Sequence, residues 1–150
     1  MGFANIDEIL EYAIAKEEEA AALYTELAER IERPGMRQAF LDFAKEEEGH
    51  KRHLENIKAG ELPALTVRQV QGLGIAEHLT APQASANMTY AEALAYVIKA
   101  EQAAHELYTG LAETTDDPNL AAVFTALAGE EAAHKRRFEL EYDEVVLEGV

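Results

Sequence analysis

Two short strings in this chain, Glu47-x-x-His50 and Glu131-x-x-His134, each set a carboxylate and an imidazole three residues apart. On a helix that spacing projects both side chains from one face, so each string offers an oxygen and a nitrogen to the same cation. Two more glutamates, Glu17 and Glu101, interrupt rows that are otherwise apolar at helical spacing. Four carboxylates, two imidazoles and no thiolate suit a pair of divalent metal ions, and iron or manganese better than zinc.

The chain repeats itself. Residues 5–55 and 89–139 superpose without a gap at an offset of 84, with identity at roughly 21 of 51 positions. Glu17 falls on Glu101, Tyr24 on Tyr108, Glu47 on Glu131 and His50 on His134. The six candidate ligands therefore read as one two-fold-symmetric set. Charge strengthens that reading, because an ionised carboxylate in an apolar core faces an idealised desolvation cost of order 20 kcal/mol, and four would also repel one another. Two divalent cations would balance the four negative charges, with neutral His50 and His134 completing the shell. Iron is the first expectation and manganese the second.

The elements that must position these residues are helices. Apolar residues step by three and four along Ile6, Leu10, Ala13, Ala20, Tyr24, Leu27 and Ile31, and again along Tyr90, Leu94, Val97, Ala104, Tyr108 and Leu111. Met36, Phe40, Phe43, Glu47, His50, Leu54 and Ile57 form a third row, and Leu120, Phe124, Leu127, Glu131, His134 and Phe138 a fourth. Asn5-x-x-Glu8 and Thr89-x-x-Glu92 have the form of capping boxes, and Pro34 and Pro118 suit first-turn positions. Helices are predicted near 5–31, 35–59, 89–114 and 118–147. The short connections at Arg33-Pro34 and Asp117-Pro118 make antiparallel hairpins, while residues 60–88 form one long central crossover.

The predicted fold is therefore all-α, a single-domain four-helix bundle of two repeated hairpins joined by that crossover. Within the crossover, Thr66-x-x-Gln69 followed by Val70, Leu73, Ile75 and Leu79 suggests a short helix, and residues 81–87 a linker. Counted from each turn at 1.5 Å per residue, the glutamate before it and the Glu-x-x-His after it stand at one height. Neither half alone supplies the full ligand set, so the halves should share a core.

Composition narrows the function. A formal net charge of −16 repels nucleic acid and anionic membranes and favours cations as ligands. With no cysteine in the chain, disulfides and thiolate metal sites are excluded, and the expected compartment is the cytosol. No run approaches the roughly 18 apolar residues of a membrane span.

Glu18, Glu19, Glu46, Glu48 and Glu130 read as surface charge, and His53 and His78 as peripheral. Tyr24 and Tyr108 lie seven residues beyond Glu17 and Glu101, and helical side chains lean back toward the N-terminus. Their hydroxyls are expected to hydrogen-bond ligand carboxylates, with plain core packing the alternative. His105 follows Glu101 by one turn where the first half has Ala21, and reads equally as an extra ligand, a proton shuttle or a solvated histidine.

With Glu17 and Tyr24, Glu47-Glu48-Gly49-His50, Glu101 and Tyr108, and Glu131-Ala132-Ala133-His134 in place, the chain resembles the rubrerythrin family of ferritin-like diiron-carboxylate proteins over nearly its whole length. The resemblance implies a homodimeric, non-haem diiron bundle that reduces hydrogen peroxide or dioxygen. It also implies that Glu47 and Glu131 bridge the metals, that Glu17 and Glu101 are terminal ligands, and that His50 and His134 serve one iron each. Only the diiron domain is expected, since the four-cysteine rubredoxin-like site has no counterpart, and electrons would come from an external donor. Ala104 and His105 stand where many family members carry a further metal-binding glutamate. Ferroxidation or iron delivery is the alternative function, and a non-catalytic acidic interaction module the second alternative.

Overall fold

A computed structural model describes residues 6–60 and 88–148. They form four helices, α1 (Ile6–Arg30), α2 (Pro34–Lys58), α3 (Tyr90–Thr114) and α4 (Pro118–Glu148), and no strand occurs among the described residues. Every helix end lies within one residue of its predicted position. The chain divides into two compact units, one around each hairpin. The Asn5 cap and the predicted crossover helix lie outside the described residues.

In the first unit α1 packs against α2. The apolar row of α1 becomes its buried side, with Ile9, Leu10, Ala13, Tyr24 and Leu27 buried and Ile31 buried just past its end, and α2 answers with Met36, Phe40, Leu54 and Ile57. Burial at that three-four spacing supplies the stabilisation that isolated helices lack in water. The turn between them has no side-chain N-cap, because Arg33 in extended conformation precedes Pro34 at the first helical positions. Arg37 closes it instead. Its guanidinium donates to the Ala28 carbonyl at 3.0 Å and the Ile31 carbonyl at 2.7 Å, covering acceptors left over at the α1 C-terminus. At the far end Gly60 takes φ 89° while its N–H donates to the Ile57 carbonyl. That left-handed turn explains why glycine follows α2.

In the second unit α3 packs against α4. Thr89 and Glu92 form the predicted capping box: the Thr89 side chain accepts from Glu92 N–H at 3.1 Å, and the Glu92 carboxylate accepts from Thr89 N–H at 2.9 Å. The bond from the Thr89 backbone, followed by one with the Thr89 side chain, holds the Glu92 carboxyl below its usual range. The cap's ionic part is therefore complete above that range and fades as acid protonates the group. The second turn is closed by Asp117, whose Oδ1 accepts from Asn119 N–H at 2.8 Å and Leu120 N–H at 3.1 Å. One hairpin thus satisfies carbonyls at a helix end, and the other satisfies N–H groups at a helix start.

Replacing Asp117 by Ala removes the acceptor for two helix-start N–H groups and is expected to lower unfolding stability by about 1 kcal/mol. Urea unfolding of metal-free protein would show this, with Asp117→Asn keeping most of the stability.

Candidate metal centre

Each hairpin carries one triad built in the same way. In the first, α1 contributes Glu17 and α2 contributes Glu47 and His50, which stand one turn apart on the buried side of their helix. His50 Nδ1 lies 3.2 Å from Glu17 Oε2 and 3.3 Å from Glu47 Oε1. In the second, α3 contributes Glu101 and α4 contributes Glu131 and His134. His134 Nδ1 lies 3.0 Å from Glu101 Oε2 and 3.5 Å from Glu131 Oε1. One donor atom from each member of a triad falls within 4.8 Å of the others. None of the six residues is more than 4% exposed.

These distances define what the triads can do. In both, Nδ1 is the imidazole nitrogen that the carboxylates surround. The contacts of Glu47 Oε1 and Glu131 Oε1 to Nδ1 fall outside hydrogen-bond geometry although both oxygens are fully buried. Two oxygens and a nitrogen therefore converge without all bonding one another, as donors sharing a third, cationic partner do. Each triad's two carboxylates carry a formal charge that one divalent cation balances. Hard oxygen donors with a single imidazole fit iron or manganese, so the residues present fit the group that their pattern implies.

The tyrosines sit in matching surroundings. Tyr24 and Tyr108 are each 1% exposed. The Tyr24 ring packs on Phe40 at 5.9 Å, tilted by 40°, and the Tyr108 ring stacks on Phe124 at 6.3 Å. Phe40 and Phe124 are themselves partners in the repeat, so the setting of both phenols is duplicated with the ligands. Glu18, Glu19, Glu46, Glu48 and Glu130 are exposed, as expected of surface charge, and so is His53. His78 lies outside the described residues. His105 is half-buried, and its Nδ1–H donates to the Ala128 carbonyl at 2.9 Å. It ties α3 to α4 and is not among the converging donors.

Two features escaped the sequence reading. Arg37, which no sequence motif singles out, clasps the first turn. Glu141 is buried on α4 and accepts a hydrogen bond from Tyr90 at 2.8 Å. Its signal was present, since Glu141 continues the spacing Glu131, His134, Phe138 toward Val145. The fourth row as read stopped at Phe138.

A solved structure places the fold in a class. The chain shares its architecture with a crystal structure from Thermotoga maritima described as a ferritin-like diiron-carboxylate protein, with a TM-score of 0.73 over 96% of this chain and 98% of that one at 21% identity. The fold is thus the all-α, ferritin-like four-helix bundle. The rubrerythrin family model matches residues 8–71 and 92–148, stretches that contain all six candidate ligands and both tyrosines. The chain belongs to the rubrerythrin family. No curated protein matches it.

Glu47→Ala is expected to lose metal without unfolding, because it also removes a buried charge. Metal analysis and thermal melts check both halves of this. Parent protein should gain about 2.7 kcal/mol of stability when ferrous iron is present at a hundredfold excess over its dissociation constant, and the variant should gain clearly less.

Proposed function

We propose that the two triads together hold two iron ions and that the protein is a non-haem diiron oxidoreductase, reducing hydrogen peroxide or dioxygen with electrons from an external donor. The observation that carries this reading is the duplicated, buried triad: Glu17, Glu47 and His50 in one hairpin, Glu101, Glu131 and His134 in the other, each converging on Nδ1. Bound iron would supply the redox chemistry at this site, where the cysteine-free sequence offers no thiol alternative.

The chain's own residues do the rest. Glu47 and Glu131, at the positions that match the family's shared carboxylates, would hold the metals together with Glu17, Glu101, His50 and His134. Burial keeps water from the ligands and strengthens every charge interaction among them. Tyr24 and Tyr108, fixed by Phe40 and Phe124, direct their hydroxyls to orient a ligand carboxylate or hold a proton at the phenol oxygen. The working form is a cytosolic homodimer, and neither nucleic acid nor membrane is a partner. None of the described helices is long and apolar enough to cross a membrane.

The net charge of −16 favours a second reading, ferroxidation, in which the acidic surface gathers ferrous ions. Stopped-flow mixing of the reduced, iron-loaded protein with peroxide separates the two. Oxidation faster than that of free ferrous iron, continuing through many turnovers when a reductant is supplied, is expected. Oxidation that stops after one round and releases ferric iron would establish the ferroxidase, and a rate no faster than free iron would sink both.

A further inference from the structure

The second hairpin buries an acidic residue that the metal ligands leave unused. Glu141 is 1% exposed, and its Oε2 accepts a 2.8 Å hydrogen bond from the hydroxyl of half-buried Tyr90. A carboxylate in a protein interior is costly to desolvate unless it is well partnered. The fold does not demand it. At the repeat offset, Tyr90, Phe138 and Glu141 stand where the first half has Ile6, Leu54 and Ile57, and Leu54 and Ile57 are ordinary buried core. At these three positions the first half has aliphatic residues in the sequence, while the second has two aromatics and an acid.

The location gives that difference a use. The buried side of α4 runs Glu131, His134, Phe138, Glu141, so Phe138 lies between a candidate ligand and the Tyr90–Glu141 pair. At 1.5 Å per residue, Glu141 stands roughly 10 Å along the helix from His134.

We propose that Tyr90 and Glu141 form a redox-active pair that supplies the second electron to peroxide when the metal pair holds only one. The proposal rests on the diiron reading above. Oxidising a phenol alone inside a protein would leave a buried positive charge. Here the proton can cross the existing hydrogen bond to Glu141 Oε2, leaving a neutral phenoxyl and a neutral carboxylic acid, so the new charge and the old one vanish together. The step balances. One hydrogen peroxide, one ferrous ion, Tyr90, the Glu141 carboxylate and two protons give two waters, one ferric ion, the Tyr90 phenoxyl and the Glu141 acid. The O–O bond and the Tyr90 O–H bond break, and the phenol's electron goes to the metal site. Because Tyr90 is partly exposed, an external reductant can restore it while Glu141 returns the proton. Tyr24 and Tyr108, wholly buried, offer no such access.

The test mixes half-reduced, iron-loaded protein with one equivalent of hydrogen peroxide, follows iron oxidation optically, and freezes samples for electron paramagnetic resonance. A neutral tyrosyl radical is expected in the parent and its loss in both Tyr90→Phe and Glu141→Gln, with iron oxidised in all three. Spin trapping and peptide mapping of the parent locate the radical without any variant, should either substitution disturb folding. Iron oxidation with no radical, or with the radical on another tyrosine, overturns the pair and leaves the diiron reading standing. If peroxide leaves the iron ferrous, the diiron reading fails, and photo-oxidation of metal-free parent by a ruthenium tris-bipyridine complex judges the pair alone. A trapped radical on Tyr90 that Glu141→Gln abolishes supports it, and a radical elsewhere overturns it.

Discussion

The constraint on which the rest depends is buried negative charge. Glu17, Glu47, Glu101 and Glu131 lie almost wholly out of water, where a carboxylate loses most of its hydration and gains it back only from a close positive partner. In each hairpin a histidine Nδ1 lies between two of these carboxylates. An imidazole carries at most one positive charge, which leaves each triad in deficit. A divalent cation removes that deficit and uses the same three atoms. The cluster thus suits a divalent cation for the same reason that it would be unfavourable in a purely structural core.

The helix hairpin is what makes so compact a charge cluster buildable. Glu-x-x-His places two donors on one face of the second helix, and a single turn returns the chain so that the third donor comes from the first helix at the same level. The two turns reach this result with different chemistry, Arg37 on helix-end carbonyls in one hairpin and Asp117 on helix-start N–H groups in the other. The repeat therefore preserves the ligand register while its local means of closure differ. The same contrast sets off the Tyr90–Glu141 pair, where the halves agree in shape and differ in chemistry.

Much of this was legible in the sequence. Periodicity set the phase of all four helices, because each buried face is mostly apolar, and the Thr89 cap and the first-turn Pro34 are local signals. The triads were legible through duplication: one glutamate in an apolar row is ambiguous, but Glu17 and Glu101 at one offset are not. Side-chain partners between neighbouring helices were harder to read. His105 bonding the Ala128 carbonyl, Arg37 reaching Ala28 and Ile31, and Tyr90 meeting Glu141 depend on helix rotation to within a fraction of a turn. Glu141 also defies the general rule that glutamates face water, and its repeat partner Ile57 gave no hint of an acid.

Anomalous diffraction at the iron edge, from crystals grown with ferrous iron under anaerobic conditions, bears most directly on the claim that these triads are a metal centre. Two strong peaks per chain are expected, one bound by His50 Nδ1 and one by His134 Nδ1, each also ligated by its hairpin's glutamates. Iron found only on exposed carboxylates such as Glu18 or Glu48, with both triads holding no metal, would contradict it.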